Sequence, residues 1–95
     1  MRNYEAMIIL QPDLDEENRK VLEDKVKEIV EKIGGEVTEI NNWGLRKLAY
    51  EINNFREGYY LLVKFKEEGK SIAELEKILQ ITEGIIRYLV VREGD

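Results

Sequence analysis

The sequence contains no cysteine and no histidine, and its hydroxyl side chains apart from the tyrosines are limited to Ser71, Thr38 and Thr82. Without cysteine there is no disulfide framework and no thiolate chemistry, which fits a reducing compartment. Without histidine the chain lacks the commonest general base and the commonest zinc ligand. The usual nucleophile–base pair therefore cannot be assembled. We predict a protein that is not an enzyme and that uses no cofactor and no metal.

Long apolar runs are also missing. Residues 1–10 alternate polar and apolar side chains, and they lack the cationic start and unbroken apolar core of a signal peptide. No apolar run approaches the length of a membrane span. The sequence predicts a soluble, cytoplasmic protein with no membrane partner.

What is present indicates one folded domain covering residues 1–95, because the chain is 43% hydrophobic with strong periodicity despite being 37% charged. The net charge of −5 is unevenly distributed. Residues 13–32 carry eight acids and five bases (−3), and residues 71–83 carry three acids and one base (−2). Residues 36–66 carry five bases and four acids (+1), so the overall charge does not exclude an anionic partner.

Hydrophobic periodicity and breaker residues predict six elements. They are a strand at 3–11, a helix between Asp15 and Gly34, strands at 37–52 and 59–66 joined by a turn at 53–58, a helix at 71–82 and a strand at 85–91. Gly44 is a predicted bulge in the second strand. Asp15 is the predicted N-cap of the first helix, and Ser71 with Glu74 forms a predicted capping box worth about 1 kcal/mol on the second. The first helix is predicted to bury the stripe Leu14, Val21, Leu22, Val26, Ile29, Val30 and Ile33.

The order β-α-β-β-α-β with right-handed crossovers predicts an α+β, ferredoxin-like architecture, a four-stranded antiparallel sheet with two helices on one face. The other sheet face, called the open face, is then left without a covering layer. Alternation assigns to it six apolar side chains: Met7, Ile9, Tyr60, Leu62, Leu89 and Val91. Such a patch favours a protein partner, although a face assignment that slips across a bulge, or a homodimer, would also account for it.

Several cations are expected around the rim of this face or at its ends: Arg2, Arg46, Lys47, Arg56, Lys64, Arg87 and Arg92. Arg2, Arg46 and Arg87 stand out because each lies near a tyrosine (Tyr4, Tyr50, Tyr88) or in an otherwise apolar strand. The planar guanidinium binds phosphate bidentately and stacks on bases, which suits irregular RNA. The segment Trp43–Tyr50 is expected to extend past the sheet and help to hold a partner. An RNA-recognition-motif signature at residues 58–65 is disfavoured, because its alternate residues are needed in the core.

Four segments together resemble protein six of the bacterial small ribosomal subunit. They are Arg2-Asn3-Tyr4-Glu5, Gly44-Leu45-Arg46-Lys47-Leu48-Ala49-Tyr50, Gly58-Tyr59 and Arg87-Tyr88-Leu89-Val90-Val91. The resemblance implies a ribosomal location and a structural role, binding 16S ribosomal RNA in the central domain, on the platform, as a heterodimer with ribosomal protein eighteen. It also implies that the partner docks against the sheet.

Carried over by position, the implied RNA-binding residues are Arg2, Tyr4, Arg46, Lys47, Arg87 and Arg92. The sequence departs from the family pattern at Lys47, where a second arginine is expected, and at Ile86, where some relatives carry arginine.

Two other functions are compatible with the topology. A small-molecule-sensing regulatory domain would need a polar ligand pocket at the first strand–helix loop, where Gln11, Pro12 and Asp13 lie. An acyl-phosphate hydrolase would need an anion-binding loop and a water-positioning asparagine, but the first loop carries acids instead. The ribosomal interpretation predicts no small-molecule substrate.

Overall fold

The computed structural model describes residues 1–94 and confirms the predicted order of elements. The elements are β1 (Arg2–Leu10), α1 (Glu16–Lys32), β2 (Glu36–Ile52), β3 (Phe55–Glu67), α2 (Ile72–Ile81) and β4 (Ile85–Glu93). The strands form one sheet in the order β2-β3-β1-β4, and every neighbouring pair is antiparallel. The ferredoxin-like α+β prediction is therefore confirmed.

The core lies between the sheet and the two helices. Since side chains alternate across a strand, every second residue of β1 and β3 points to the helices. The buried apolar residues are Tyr4, Ala6, Ile8 and Leu10 of β1, Leu61, Val63 and Phe65 of β3, Leu22, Val26, Ile29 and Val30 of α1, and Leu75 and Leu79 of α2. Tyr4 stacks on Phe65 across the two central strands, with ring centroids 5.5 Å apart. Val21, by contrast, is 61% exposed, so its predicted place in the buried stripe of α1 is wrong.

The two helices begin differently. The Asp15 side chain accepts a hydrogen bond from the Asn18 amide at 2.8 Å, which confirms the predicted N-cap of α1. The capping box on α2 is wrong, because the Ser71 side chain makes no cap hydrogen bond. The buried carboxylate of Glu67 accepts hydrogen bonds from the amides of Gly69 and Ser71. A residue at the end of β3 thus accepts a hydrogen bond from the Ser71 amide, the donor that Glu74 was expected to satisfy in the capping box.

The β2–β3 hairpin is longer than expected. Its turn is the pair Asn53–Asn54, whose φ angles of 50° and 69° suit a two-residue hairpin loop. The predicted turn at 53–58 is therefore too long, since β3 already begins at Phe55. Tyr59 is opposite Leu10, the last residue of β1, so the hairpin beyond this point extends past β1. The register shift between Asn42 and Gly44, with Gly44 at φ 80°, confirms the bulge in β2.

Candidate RNA and protein interface

The strand register places the side chains of the open face in four cross-strand rows. In the order β2, β3, β1, β4 the rows are Glu36–Lys66–Asn3–Glu93, then Glu39–Lys64–Glu5–Val91, then Asn41–Leu62–Met7–Leu89, then Gly44–Tyr60–Ile9–Arg87. The first two rows carry most of the charge, the third is mostly apolar, and the fourth ends in an arginine. The face therefore changes chemistry along the strand direction.

The apolar part of the open face is smaller than the sequence suggests. Leu89 is 61% and Val91 43% exposed, whereas Met7, Tyr60 and Leu62 are partly buried. Ile9 is only 7% exposed, so its predicted display on the surface is wrong. A Cβ built on Gly58 would overlap Cγ2 of Ile9 and would lie 3.6 Å from Cδ1 of Ile86, so both isoleucines pack closely against Gly58. The pairing of β1 with β4 shifts register next to this contact, between Ile9 and Leu10.

Two carboxylates from the first two rows, on β1 and β4, share one ammonium group of β3. Nζ of Lys64 lies 3.6 Å from Oε1 of Glu5 and 3.8 Å from Oε1 of Glu93. Hydrogen bonding to the Glu5 carboxyl, with desolvation and repulsion from the same carboxylate, raises the pKa of Glu93 above its ordinary value of 4.5. Repulsion from Glu39 acts in the same direction, and Lys64 opposes it. We call Glu5, Glu39, Glu93 and Lys64 the acidic end of the open face.

Arginines mark the opposite end, where each is held by an aromatic ring. The Arg87 guanidinium lies 5.5 Å from the ring centroid of Tyr50 and donates a hydrogen bond to the Tyr50 hydroxyl. The Arg46 guanidinium lies 5.5 Å from the Trp43 ring centroid, and its Nε donates to the Trp43 carbonyl at 3.3 Å. Sequence proximity associated Arg46 with Tyr50, but in the structure Tyr50 contacts Arg87. We call Arg46 and Arg87 the arginine end.

Arg2 lies at a third place, beside the β3–α2 loop on the helix side of the sheet. A Cβ on Gly69 would be 3.0 Å from both an Arg2 guanidinium nitrogen and the Tyr4 hydroxyl. The Tyr4 ring is 6% exposed and stacks on Phe65, so the ring belongs to the core. Arg92 is opposite Tyr4 in the register and is exposed. Arg2, the Tyr4 hydroxyl and Arg92 form what we call the Arg2 corner.

The six sequence-predicted RNA residues therefore fall into two groups. Arg46, Lys47 and Arg87 lie where the hairpin leaves the sheet, and Lys47 is opposite Glu57 there. The Arg2 corner lies at the other end of β1. Arg2 is seven residues from Ile9, the residue opposite Arg87, and at about 3.3 Å per residue this separation is roughly 23 Å. Composition and spacing could not reveal this separation, because it follows from the strand pairing.

The first strand–helix loop borders an open cleft of about 600 Å³ whose lining includes Gln11, Asn18, Thr82 and Glu83. This is where the alternative regulatory domain would need a ligand pocket. The cleft is open to solvent and also lined by the apolar Leu14, Val21 and Leu22. Its presence alone assigns no ligand, and the choice between the two functions comes from comparison with known proteins.

A family model described as Ribosomal protein S6 matches residues 3–92. The chain belongs to this family. Small ribosomal subunit protein bS6 of Desulforamulus reducens is 46% identical over 95 residues, covering 100% of both chains. The bS6 protein of Thermoanaerobacter pseudethanolicus is 49% identical, again over 100% of both. The crystal structure of 30S ribosomal protein S6 from Thermotoga maritima superposes with a TM-score of 0.92 at 39% identity, covering 97% of this chain and 87% of that one.

Membership in the ribosomal protein S6 family confirms the resemblance and the prediction of a structural, non-enzymatic component of the small subunit of the cytoplasmic ribosome. It also decides against the regulatory-domain and hydrolase alternatives. Neither helix within residues 1–94 is long and apolar enough to cross a membrane.

Sequence reasoning placed Trp43 and Tyr50 in one projecting segment but missed that their rings contact Arg46 and Arg87, respectively. It also missed Lys70. Lys70 lines a shallow cleft of about 340 Å³ together with Arg2. A weak sequence signal for the ring–arginine contacts existed, because aromatic residues are uncommon in the polar sequence of an exposed hairpin. Lys70 had none, because only the β3–α2 loop brings it close to Arg2.

Proposed function

We propose that this chain binds 16S ribosomal RNA in the central domain of the small subunit, on the platform, as a heterodimer with ribosomal protein eighteen. The observation that carries the proposal is the division of the exposed surface into an apolar row on the open face and arginines beyond its ends. Apolar area suits a protein surface, and exposed guanidinium groups suit phosphate. One small domain can therefore contact both partners at once.

The protein partner is assigned to the open face. Leu62, Met7 and Leu89 are neighbours in one row, and the exposed Val91 extends the apolar surface into the next. Tyr60 and Ile9 complete the predicted partner face. Because Ile9 is buried, it contributes by packing against its neighbours on that face. Buried apolar area is the main source of affinity in such contacts.

RNA is assigned to the arginine end with Lys47 and to the Arg2 corner. Arg46 and Arg87 are held by rings, so little side-chain freedom is left to lose when phosphate binds. Tyr4 takes part through its hydroxyl and Arg92 through its charge. Contacts of this type position the protein on folded RNA without reading its sequence.

The test is a filter-binding titration of central-domain 16S RNA with this chain, with and without ribosomal protein eighteen, over a series of salt concentrations. We expect tighter capture with the partner and a linear fall of log affinity with log salt concentration, because phosphate contacts release counterions. Leu62→Asp should abolish partner docking while leaving the fold intact. If RNA capture depends on neither the partner nor the salt concentration, the proposal is wrong.

A further inference from the structure

We infer that the segment of the protein partner seated on the open face carries a lysine or arginine that binds between the carboxylates of Glu5 and Glu93. This inference rests on the proposed function and goes further, because it states the chemistry and the orientation of the docked segment. An apolar stretch of the partner covers the Leu62–Met7–Leu89 row, and its basic side chain reaches the acidic end.

The geometry of the acidic end supports a missing cation. Glu5 on β1 and Glu93 on β4 both lie within 4 Å of Nζ of Lys64, at 3.6 and 3.8 Å. One ammonium group cannot neutralise two carboxylates, and Glu39 on β2 adds a third acid on the other side of Lys64. In the row of Glu93, Lys66 lies opposite Glu36, so these two charges offset each other and leave the balance unchanged. The acidic end therefore keeps a net negative charge.

In the absence of a partner, the ionised carboxylates of Glu5 and Glu93 destabilise each other. A hydrogen bond to the Glu5 carboxyl, desolvation and repulsion from Glu5 together raise the pKa of Glu93, so the pair is less stable with both groups ionised than separated carboxylates would be. A partner cation would remove that repulsion and form charge-assisted hydrogen bonds. The apolar surface of Leu89 and Val91 lies directly beside the pair, so docking would also exclude water and strengthen the contact.

The two ends of the face set the direction of the partner. Arg46 and Arg87 at the arginine end repel a basic side chain, whereas the acidic end attracts one. Phosphate has the opposite preference. On the open face RNA is therefore kept away from the acidic end, whereas the Arg2 corner at the same end of β1 meets RNA from the helix side of the sheet. A basic apolar segment can lie on the open face in only one favourable orientation.

The experiment measures the affinity of purified ribosomal protein eighteen for five forms of this chain by isothermal titration calorimetry. They are the wild type, Glu5→Gln, Glu93→Gln, Leu62→Asp and the control Glu31→Gln. Glu31 is an exposed carboxylate on α1, outside the sheet. The melting temperature of each form is measured in parallel, and sedimentation tests the wild type alone for self-association.

We expect Glu5→Gln and Glu93→Gln each to weaken partner binding about tenfold, the loss typical of one charge-assisted hydrogen bond. Both variants should also flatten the salt dependence of binding, and Glu31→Gln should change neither quantity. Their melting temperatures should stay equal or rise, since the carboxylate repulsion is relieved. Falling affinity with undiminished stability separates a binding role from a purely structural one.

Three other results would each contradict the inference, and they can be told apart. If Leu62→Asp abolishes binding while both glutamine variants bind like the wild type, the partner docks without the cation and the inference is wrong. If Leu62→Asp also binds normally, the proposed docking on the open face is itself wrong. If the wild-type chain alone forms a dimer that Glu5→Gln dissociates, the acidic end serves a second copy of this chain, and the inference is again overturned.

Discussion

Arg87 and Tyr50, separated by 37 positions in the chain, meet through a hydrogen bond and a ring contact. Arg87 belongs to the edge strand β4, and Tyr50 lies near the tip of the β2–β3 hairpin. The pair joins the protruding hairpin to the far edge of the sheet. A residue proposed to bind RNA is thus also the residue that holds the hairpin in place.

Tyr50→Ala should loosen the hairpin without unfolding the core. The variant loses both the hydrogen bond and the cation–π contact, which at an exposed site is worth about 0.5–1 kcal/mol. Amide hydrogen exchange should accelerate in residues 47–57 and stay unchanged in β1. Tyr50→Phe, which keeps the ring, is the matched control and should show a smaller effect. Uniform acceleration across the sheet would contradict a local role.

Arg87→Ala should weaken binding to central-domain RNA by a salt-dependent amount. Loss of one phosphate contact makes the slope of log affinity against log salt concentration less steep by about one. Lys27→Ala removes a cation from the exposed side of α1 and should leave the slope unchanged. Salt titrations at four concentrations decide the matter. An unaltered slope for Arg87→Ala would remove this residue from the RNA interface.

Gly58→Ala should destabilise the fold by about 1–3 kcal/mol, because the added Cβ overlaps Cγ2 of Ile9 and lies 3.1 Å from the Leu10 carbonyl oxygen. Urea denaturation measures the change. In an Ile9→Ala background the same substitution should cost less, since the principal overlapping atom is absent. Equal costs in both backgrounds would show that the strain comes from another contact.

Glu67→Ala and Ser71→Ala should differ in their effect on stability. Glu67 is buried and accepts hydrogen bonds from two amides of the β3–α2 loop, so its loss should cost about 1–3 kcal/mol. Ser71→Ala removes a hydroxyl that makes no cap hydrogen bond and should stay within about 0.5 kcal/mol of the wild type. Urea midpoints of the two variants provide the comparison. A larger loss of stability for Ser71→Ala than for Glu67→Ala would support the capping box.

Glu93→Gln should be more stable than the wild type at neutral pH but not in acid. Since folding raises the pKa of Glu93 above 4.5, the folded chain binds this proton more tightly than the unfolded chain does. The resulting stabilisation is complete below pH 4.5 and is lost as the pH rises through the raised value. Glutamine stays uncharged beside Glu5, Glu39 and Lys64, so its advantage should grow between about pH 4 and pH 7 in urea titrations. A pH-independent difference would exclude this carboxylate as the cause.

Local patterns were sufficient to predict the element order and most of the core. Alternation placed Tyr4, Ala6 and Ile8 together on one face of β1, and the structure buries all three. The Asp15 cap and the Gly44 bulge were also predictable, because each depends on the residue and its immediate neighbours. The errors arose where a residue from elsewhere intervened. Glu67 binds the Ser71 amide that Glu74 was expected to bind, and the close approach of Gly58 helps to cover Ile9.

The sequence by itself determined the fold class, the absence of the usual catalytic residues and the likeness to the ribosomal protein S6 family, since composition, periodicity and short motifs are local properties of the chain. Only the tertiary structure decided how the surface is divided. The register of four strands, read across the sheet, places Lys64 between Glu5 and Glu93 and brings Tyr50 to Arg87. Cross-strand neighbours come from distant parts of the chain, and hydrogen-bonded pairing sets which side chains share a row.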